Sequence, residues 1–465
     1  MTSLRRLSVR DLIDGRPFGR FQTLLVFLGF MTIVLDGFDA VVMGYIAPQL
    51  KLDWGLSHES LGAVLSAGLI GQAIGAMAGG PLADRYGRKP VVVSNVLFFG
   101  IWTLATAMSS DVRGMVIFRF LTGLGLGAAI PNTSTLISEY APQRMRSFLI
   151  TVTLCGYTAG GAGGGFISAW MIPAFGWRSV VLAAGVLPVI LGVILMALMP
   201  ESLGFLVARK KGAAAVKAIV ARIAPEIART PYELVQDAQS PHRSSSIRIV
   251  LAPQYRMGTA MLWCGYFCVL FLIYLLSSWL PTLVKEGGGY SVSESAIAMA
   301  MFQVGGPIGS LAIGWAMDRW SKHWILAGVF LIGAASVAAI GETSQYYLAL
   351  CGLALVVGFC MSGGSVGMTA LATGYYPTEA RATGSSWMLG IGRIGAILSA
   401  MLGAEMLSLG WSMSDIFTAL VIPALIAAVA VLAHKRWDTP RAAGVIQHGA
   451  IPHDKDASKP VSTNP

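Results

Sequence analysis

Charged residues are scarce in this sequence. Asp, Glu, Lys and Arg make up 12% of the 465 residues, whereas a soluble domain carries about 25%. So little charge cannot cover a water-soluble globule, and 55% of the chain is hydrophobic, with a mean hydropathy of +0.67. The apolar residues form separate stretches, each long enough to cross about 30 Å of hydrocarbon as a helix. The composition therefore excludes a soluble domain and predicts an all-α polytopic membrane protein.

Cysteine and histidine are also sparse. The five cysteines all fall within apolar stretches, and Cys264 and Cys268 share a helix face without a third ligand. The six histidines form no metal-binding spacing, so we expect buried thiols, no metal and no cofactor. The sequence has no Walker A motif and no histidine cluster, which disfavours a membrane enzyme. A sensory receptor would need a signalling domain, and the polar segments are too short and plain for one.

Basic residues are distributed unevenly between the segments that join twelve predicted spans. With the N-terminus inside the cell, 27 of the 33 Lys and Arg residues lie in cytoplasmic segments and four in external loops. This is the positive-inside pattern, so the net charge of +10 reflects orientation in the bilayer and not nucleic-acid binding. We expect an inner-membrane protein with both termini in the cytoplasm and no cleavable signal. The predicted spans are 21–47, 60–82, 91–109, 113–138, 147–172, 179–199, 257–284, 293–316, 323–341, 344–373, 383–408 and 412–433.

A repeat divides these spans into two halves. Asp84-Arg85 closes the second span in the pattern G-x-x-x-D-R, and Asp318-Arg319 closes the eighth in the same pattern, 234 residues further on. A second motif with proline and arginine follows the fourth and the tenth spans, 235 residues apart. Two motifs with nearly one offset indicate duplication of a six-helix unit. The predicted parts are a cytoplasmic N-terminal segment (1–20), a first bundle (21–199), a cytoplasmic linker (200–256), a second bundle (257–436) and a disordered cytoplasmic tail (437–465).

Two pseudo-symmetric six-helix bundles joined by a basic loop resemble the major facilitator superfamily. The loop after span 2 and Pro200-Glu201-Ser202 after span 6 carry the resemblance, which covers residues 20 to 436 and implies transport by rocking of the halves. Asp84 at its helix end can pair with an arginine or a helix N-terminus of the other half when the cytoplasmic side is closed. The alternative interpretation is that these charges serve only to orient the protein in the membrane. We therefore expect a conformational latch, closely packed at its glycines, made of Gly80, Asp84, Arg85, Gly87, Arg88, Glu139, Arg146, Asp318, Arg319 and Arg381.

Two acids lie inside the first span. Asp36 and Asp39 are three residues apart and therefore share one helix face, and an ionisable residue inside a span is by default a functional candidate. Two carboxylates this close in a low dielectric cannot both ionise easily, so the pair is poised to take up a proton. We interpret Asp36, Asp39 and Arg119 of span 4 as a proton-coupling group. A purely structural set of buried acids neutralised by arginine is the alternative.

A second intramembrane arginine, Arg393, lies almost at the middle of span 11 and is flanked by glycines. Neither arginine has a counterpart in the other half, because Ala354 and Thr158 stand 235 residues from Arg119 and Arg393. Arginine keeps its charge and needs an anion. We expect Arg393 to bind a substrate carboxylate through its planar fork. A salt bridge with the acids of span 1 is the alternative.

The segment Asp36-Gly37-Phe38-Asp39, with Arg393 and the run Ser277-Ser278-Trp279-Leu280-Pro281-Thr282 in span 7, is similar to the aromatic acid:proton symporters. That family implies import of an aromatic carboxylate, such as a hydroxybenzoate or benzoate, together with a proton. Its required acids correspond to Asp36 and Asp39. We expect a monomer in the lipid bilayer, with the aromatic acid and protons as partners, and ring contacts from Phe38, Tyr157, Tyr266 and Trp387.

Other transporter classes share this architecture. A drug:proton antiporter usually has a Gly-Pro motif in span 5, whereas Gly160–Gly165 contains no proline. A sugar transporter would share Pro200-Glu201-Ser202, but no matching segment follows span 12. Acids and an arginine inside the bundle also suit an anion better than a neutral sugar. A symporter of a dicarboxylate or another organic anion stays open.

Overall fold

The computed structural model describes residues 5–209, 213–227, 232–235, 246–343, 345–377 and 379–438. Within these residues the chain forms sixteen α-helices and one two-stranded sheet. Of the predicted disordered tail, 437–465, only Trp437 and Asp438 are described, and the rest lies outside the described residues.

The first half contains a strand, a short helix and six long helices. These are β1 (Arg5–Ser8), α1 (Val9–Asp14), α2 (Arg20–Trp54), α3 (His58–Tyr86), α4 (Arg88–Ala107), α5 (Val112–Tyr140), α6 (Arg146–Phe175) and α7 (Trp177–Leu198). The linker contains α8 (Leu203–Ala208), α9 (Ala213–Ile223), β2 (Tyr232–Val235) and α10 (Ser246–Val250). The second half contains α11 (Arg256–Gly288), α12 (Val292–Arg319), α13 (Lys322–Glu342), α14 (Tyr347–Tyr375), α15 (Arg381–Ser408) and α16 (Met413–Lys435).

The prediction of twelve membrane helices in two six-helix halves is confirmed. Eleven of the twelve long helices in the described residues are long and apolar enough to cross a membrane. The twelfth, α6, has 30 residues, but its glycine run lowers its hydropathy. Several helices extend beyond the predicted spans because polar caps begin or end them. The Ser57 hydroxyl accepts the N–H of Ser60 at the start of α3, and Gly55, with φ of 62°, ends α2.

Glycines let equivalent helices approach closely in the two halves. A Cβ at Gly71 of α3 would overlap the carbonyl of Phe120 in α5. In the second half, a Cβ at Gly358 of α14 would overlap the carbonyl of Phe302 in α12. Small residues at such contacts allow the close packing by which helices associate in lipid. The second and fourth helices of each half therefore pack through glycine, as duplication predicts.

The turns between the long helices lie on two faces of the bundle. We call one the linker face, because it carries the described residues of the linker (200–209, 213–227, 232–235 and 246–256) together with the turns α3–α4, α5–α6 and α12–α13. We call the other the far face, and it carries the turns α2–α3, α4–α5 and α11–α12. This assignment follows from the order of the helices, since each crosses the bundle once.

The N-terminal segment and the linker pack together on the linker face. β1 pairs in parallel with β2, with Leu7 opposite Leu234. Leu12 of α1 is buried in the same apolar cluster as Ile219 and Val220 of α9. The sequence predicts two separate connecting segments here, 1–20 and 200–256. The structure shows one packed unit, because apolar side chains of each segment cover those of the other.

Candidate functional site

A cavity of about 270 Å³ lies between the two halves. Its walls come from α6 in the first half and from α11, α12 and α14 in the second. The α6 residues lie toward its start and the α12 residues toward its end, so the cavity occupies the linker-face part of the bundle. Its volume is near the lower end of the range for small-molecule sites. The lining includes apolar, aromatic and polar side chains, among them Leu154, Tyr157, Leu270, Tyr274, Ser277, Gln303 and Val366.

Contacts between the halves close the far face. Lys51 Nζ lies 2.7 Å from Glu286 Oε1, and His58 Nε2 lies 3.1 Å from Glu286 Oε2. At the start of α12, the Ser293 hydroxyl donates to the carbonyl of Ala169 in α6 over 2.7 Å. These contacts join the first-half helices α2, α3 and α6 to the second-half helices α11 and α12. In this conformation they separate the cavity from the far face.

Asp39 and Arg119 form a buried ion pair. Arg119 Nη1 lies 2.9 Å from Asp39 Oδ1, and the two side chains are 3% and 0% exposed. Arg119 Nη2 also donates to the backbone carbonyl of Asp39 over 3.2 Å. The hydroxyl of Thr103 donates to Asp39 Oδ2 over 2.8 Å. Buried charges are tolerated when they are paired and hydrogen-bonded, and here each charge is balanced by the other.

Asp36 is buried without such a partner. Its side chain is 0% exposed, and neither carboxyl oxygen has a hydrogen-bond partner among the described residues. Electrostatic interactions reach it from Asp39 and from Arg393. An isolated ionised carboxylate in an apolar interior is costly. The two acids that share one helix face therefore differ in environment, because only Asp39 is compensated.

Gly37 brings the acid-bearing helix α2 against α6. A Cβ at Gly37 would overlap the backbone carbonyl of Tyr157, whose side chain lines the cavity and interacts electrostatically with Asp36. The ring of Phe38 is buried and fills the space beside Gly164. Phe38 therefore packs between the helices and is not among the lining residues. Tyr157 connects the unpaired acid to the cavity.

Arg393 lies at the centre of the interface between the halves. Its Nη1 donates a hydrogen bond to Oε1 of Gln72 in the first half, and it interacts electrostatically with Tyr157, Tyr274 and Asp36. Arg393 forms no salt bridge with an acid of α2 in this conformation. Asp39 pairs with Arg119, and the carboxyl oxygens of Asp36 have no hydrogen-bond partner among the described residues. A single neutral amide oxygen satisfies only part of the five donors of a guanidinium group. The fork of Arg393 is therefore available to an anion.

The remaining predicted ring contacts lie outside the cavity lining in this conformation, although Tyr266 interacts electrostatically with Arg393 and with the lining residue Tyr274. Tyr266 is buried and packs against Gly392. Trp387 is 45% exposed and stacks on Trp263, with ring centroids 5.9 Å apart. Neither belongs to the lining residues, whereas Tyr157 does.

The structure also brings to the site three polar residues that the sequence analysis does not single out. Gln72 contacts Arg393, Thr103 bonds to Asp39, and Gln303 lines the cavity. A glutamine inside an apolar stretch is a signal that sequence reasoning can use. Threonine is common in membrane helices, and nothing in the sequence distinguishes Thr103.

The sequence matches the Major Facilitator Superfamily over residues 28–306 and 262–450. The chain belongs to this superfamily. It is 45% identical to the 4-hydroxybenzoate transporter PcaK of Pseudomonas aeruginosa, over 93% of this chain and 96% of that protein. It is 44% identical to a gallate transporter of Pseudomonas putida, over 92% of this chain and 95% of that protein. These relatives confirm the narrower resemblance that the α2 motif indicates.

The fold of this superfamily is shared with solved structures. A crystal structure of a D-xylose-proton symporter superposes with a TM-score of 0.65 at 18% identity, covering 87% of this chain and 96% of that one. The relatives are transporters. This member of the superfamily is therefore a multi-pass membrane transporter and not an enzyme.

The superfamily motif after α3 joins three helix ends of the first half. Arg88 Nη1 lies 2.6 Å from Asp84 Oδ1, and Arg88 Nε lies 3.4 Å from Glu139 Oε1. The carboxylate of Glu201 accepts the backbone N–H groups of Arg88 and Lys89 over 2.8 and 3.1 Å. The start of α4 is thereby tied to the ends of α3 and α5 and to the segment that follows α7, all within one half.

The two motif glycines of this superfamily member differ in packing. Gly87 has φ of 108°, and a Cβ there would overlap the carboxylate of Glu201. Gly80 and its repeat Gly314 face open space. The expected close packing is therefore present at Gly87 and absent at Gly80 in this conformation. The side chain of Asp84 is 73% exposed, so the loop is accessible on the linker face.

The other predicted latch residues also lie on the linker face. The guanidinium of Arg85 lies 5.3 Å from the ring centroid of Tyr86, and that of Arg319 lies 4.1 Å from the ring centroid of Trp315. Arg146 Nη2 donates to a backbone carbonyl at the end of α5. Asp318 and Arg381 are exposed.

Proposed function

We propose that this transporter imports an aromatic carboxylate together with a proton by alternating access, as a monomer in the cytoplasmic membrane. The observation that carries the proposal is the fully buried, unpaired carboxyl of Asp36 beside a cavity whose tyrosines also interact with Arg393. Relatives that transport 4-hydroxybenzoate and gallate support the substrate class. The bundles 21–199 and 257–436 are the two bodies that rock.

In this proposal the linker face is cytoplasmic, because the basic residues concentrate there. Both termini then lie in the cytoplasm. The far face is closed by Lys51, His58 and Glu286, while the cavity lies toward the linker face. The conformation described here is accordingly the one that releases substrate to the cytoplasm.

Arg393 supplies the carboxylate contact in this proposal. A carboxylate accepts two parallel hydrogen bonds from a guanidinium fork, which is stronger than the single bond to the neutral Gln72. The ring of the substrate would then occupy the cavity beside Tyr157 and Tyr274, whose walls include Leu154 and Leu270. The carboxylate of a planar aromatic acid would thus contact the charge of Arg393, and the faces of its ring would contact apolar side chains.

Asp36 carries the proton in this proposal. Its neutral form fits the unpaired site, whereas its ionised form needs a partner. When the halves reorient, Arg393 can come to compensate an ionised Asp36 after the substrate has left it. Asp39 contributes by fixing Arg119, so that this second guanidinium does not neutralise Asp36. The substrate carboxylate and an ionised Asp36 would thus bind Arg393 in turn, and this exchange would couple substrate transport to proton transport.

The loop after α3 acts as the latch in this proposal. Asp84 now pairs with Arg88 of its own half, and its exposure leaves it free to meet the second half when the cytoplasmic side closes. Gly80, which faces open space here, would then become packed. The second-half copies Asp318, Arg319 and Arg381 would take the corresponding positions on the opposite side of the interface.

Uptake into proteoliposomes tests the proposal. Purified protein is reconstituted, and entry of labelled 4-hydroxybenzoate is measured with and without an imposed pH gradient, acid outside. We expect accumulation driven by the gradient in the wild type and loss of accumulation in Asp36→Asn. Exchange of labelled for unlabelled substrate without a gradient should persist in Asp36→Asn, because Arg393 is intact.

Gradient-driven accumulation by Asp36→Asn equal to the wild type would remove Asp36 from coupling. Accumulation of a dicarboxylate instead of any aromatic acid would replace the substrate class with the other organic anion. Export of a cationic drug in exchange for protons would favour the antiporter alternative. A control outside the cavity lining, Ser336→Ala in α13, keeps both acids and Arg393 and should retain accumulation.

A further inference from the structure

Gln303 is a buried polar side chain in the cavity wall. It is 3% exposed, it lines the cavity, and it makes no hydrogen bond to another described residue. Across the interface lies Gly161 of α6, where a Cβ would overlap Nε2 of Gln303. The first half therefore leaves space for the Gln303 amide, which makes no hydrogen bond within the described part of the chain.

Two serine hydroxyl groups of the same wall are already satisfied. The Ser310 hydroxyl donates to the carbonyl of Gly306 over 2.9 Å, and the Ser365 hydroxyl donates to the carbonyl of Ser362 over 2.7 Å. Such bonds to the preceding helical turn occupy the donor of the side chain. Gln303 differs from them because both its N–H groups and its amide oxygen are unused.

Pro307 adds a further acceptor at the same position. Proline has no backbone N–H, so the carbonyl four residues earlier in a helix loses its usual partner. In α12 that carbonyl belongs to Gln303. The residue therefore combines amide donors with two kinds of oxygen acceptor. A hydroxyl group, which both donates and accepts, is the ligand group that matches this set.

We propose that Gln303 recognises a hydroxyl group on the aromatic ring, so that hydroxylated aromatic acids are preferred to benzoate. This inference rests on the proposed function and deepens it. Arg393, which interacts with the lining residues Tyr157 and Tyr274, binds the carboxylate. Gln303, on the α12 wall of the cavity, meets the substituted edge of the ring. Benzoate would displace water from the amide without replacing its hydrogen bonds, and a site built to bond a hydroxyl rejects the analogue that lacks it.

Competition binding to the purified full-length protein tests this inference. The labelled probe is 4-hydroxybenzoate, and the competitors are 4-hydroxybenzoate, benzoate and 4-methylbenzoate. The wild type should bind 4-hydroxybenzoate at least tenfold more tightly than the other two. In Gln303→Leu, which has a similar volume and no polar group, that preference should fall to about twofold or less. Ser336→Ala in α13 should keep the preference, because this residue is outside the cavity lining and its hydroxyl donates to the carbonyl of Ile332 over 2.9 Å.

Two results would overturn the inference. The first is wild-type protein that binds 4-hydroxybenzoate and 4-methylbenzoate equally, a comparison that needs no variant to fold. The second is an unchanged preference in Gln303→Leu. In both cases aromatic acids still bind, so the proposed function survives. If no aromatic acid, including unlabelled 4-hydroxybenzoate, displaces the labelled probe from the wild type, the proposed function is wrong, and so is this inference.

Discussion

The buried pair of Asp39 and Arg119 allows a sharp prediction about stability. The substitution Asp39→Asn removes one charge of an ion pair with a 2.9 Å contact and leaves an arginine that is 3% exposed. Removing one partner of a buried pair costs about 3–5 kcal/mol, since the other charge stays buried and uncompensated. Asp36→Asn is the matched change one turn away. It has no hydrogen bond to lose, so we expect it to cost less than about 1 kcal/mol.

The measurement is unfolding of each purified variant in detergent, followed by intrinsic fluorescence as denaturant is added. A loss of about 3–5 kcal/mol changes the unfolding equilibrium by more than a hundredfold. The double variant Asp39→Asn with Arg119→Leu is the control, because it removes both charges. We expect it to recover most of the lost stability.

Equal losses in Asp39→Asn and Asp36→Asn would refute this reasoning, since only one of the two acids has a partner in the structure. A double variant less stable than Asp39→Asn alone would refute it as well. That result would mean that Arg119 stabilises the fold through contacts other than the ion pair.

Three further predictions concern packing, binding and gating. Gly37→Ala places a Cβ into a backbone carbonyl of α6, so folded protein recovered from the membrane should fall sharply, whereas Gly163→Ala, with nothing within 4 Å, should be tolerated. Arg393→Lys keeps the charge but loses the fork, so 4-hydroxybenzoate affinity should fall by about tenfold, and unchanged affinity would contradict the two-bond contact. Glu286→Gln removes the ion pair with Lys51 on the far face. A partly exposed pair is worth up to about 1 kcal/mol, so labelling of an introduced Ser278→Cys by an impermeant maleimide from outside should rise by up to about fivefold; no increase over Ser278→Cys alone would show that this pair does not hold the far face closed.

The sequence by itself determined the class and the architecture. Each membrane helix is a local property, because about twenty consecutive apolar residues suffice to define it. The duplication was equally visible, since the motifs at Asp84 and Asp318 recur at almost one offset. The shared face of Asp36 and Asp39 also followed from local geometry, because residues three apart in a helix point the same way.

Only the tertiary structure decided which of these groups meet. The helix period places both acids on one face, but the rotation of α2 against its neighbours is determined by contacts such as Gly37 against α6. That rotation pairs Asp39 with Arg119, 80 residues away, and leaves Asp36 alone. The same kind of packing placed Gln303 in the cavity wall and Phe38 outside it. Hydropathy and spacing carry no information about helix rotation, because it arises from side chains of several helices fitting together.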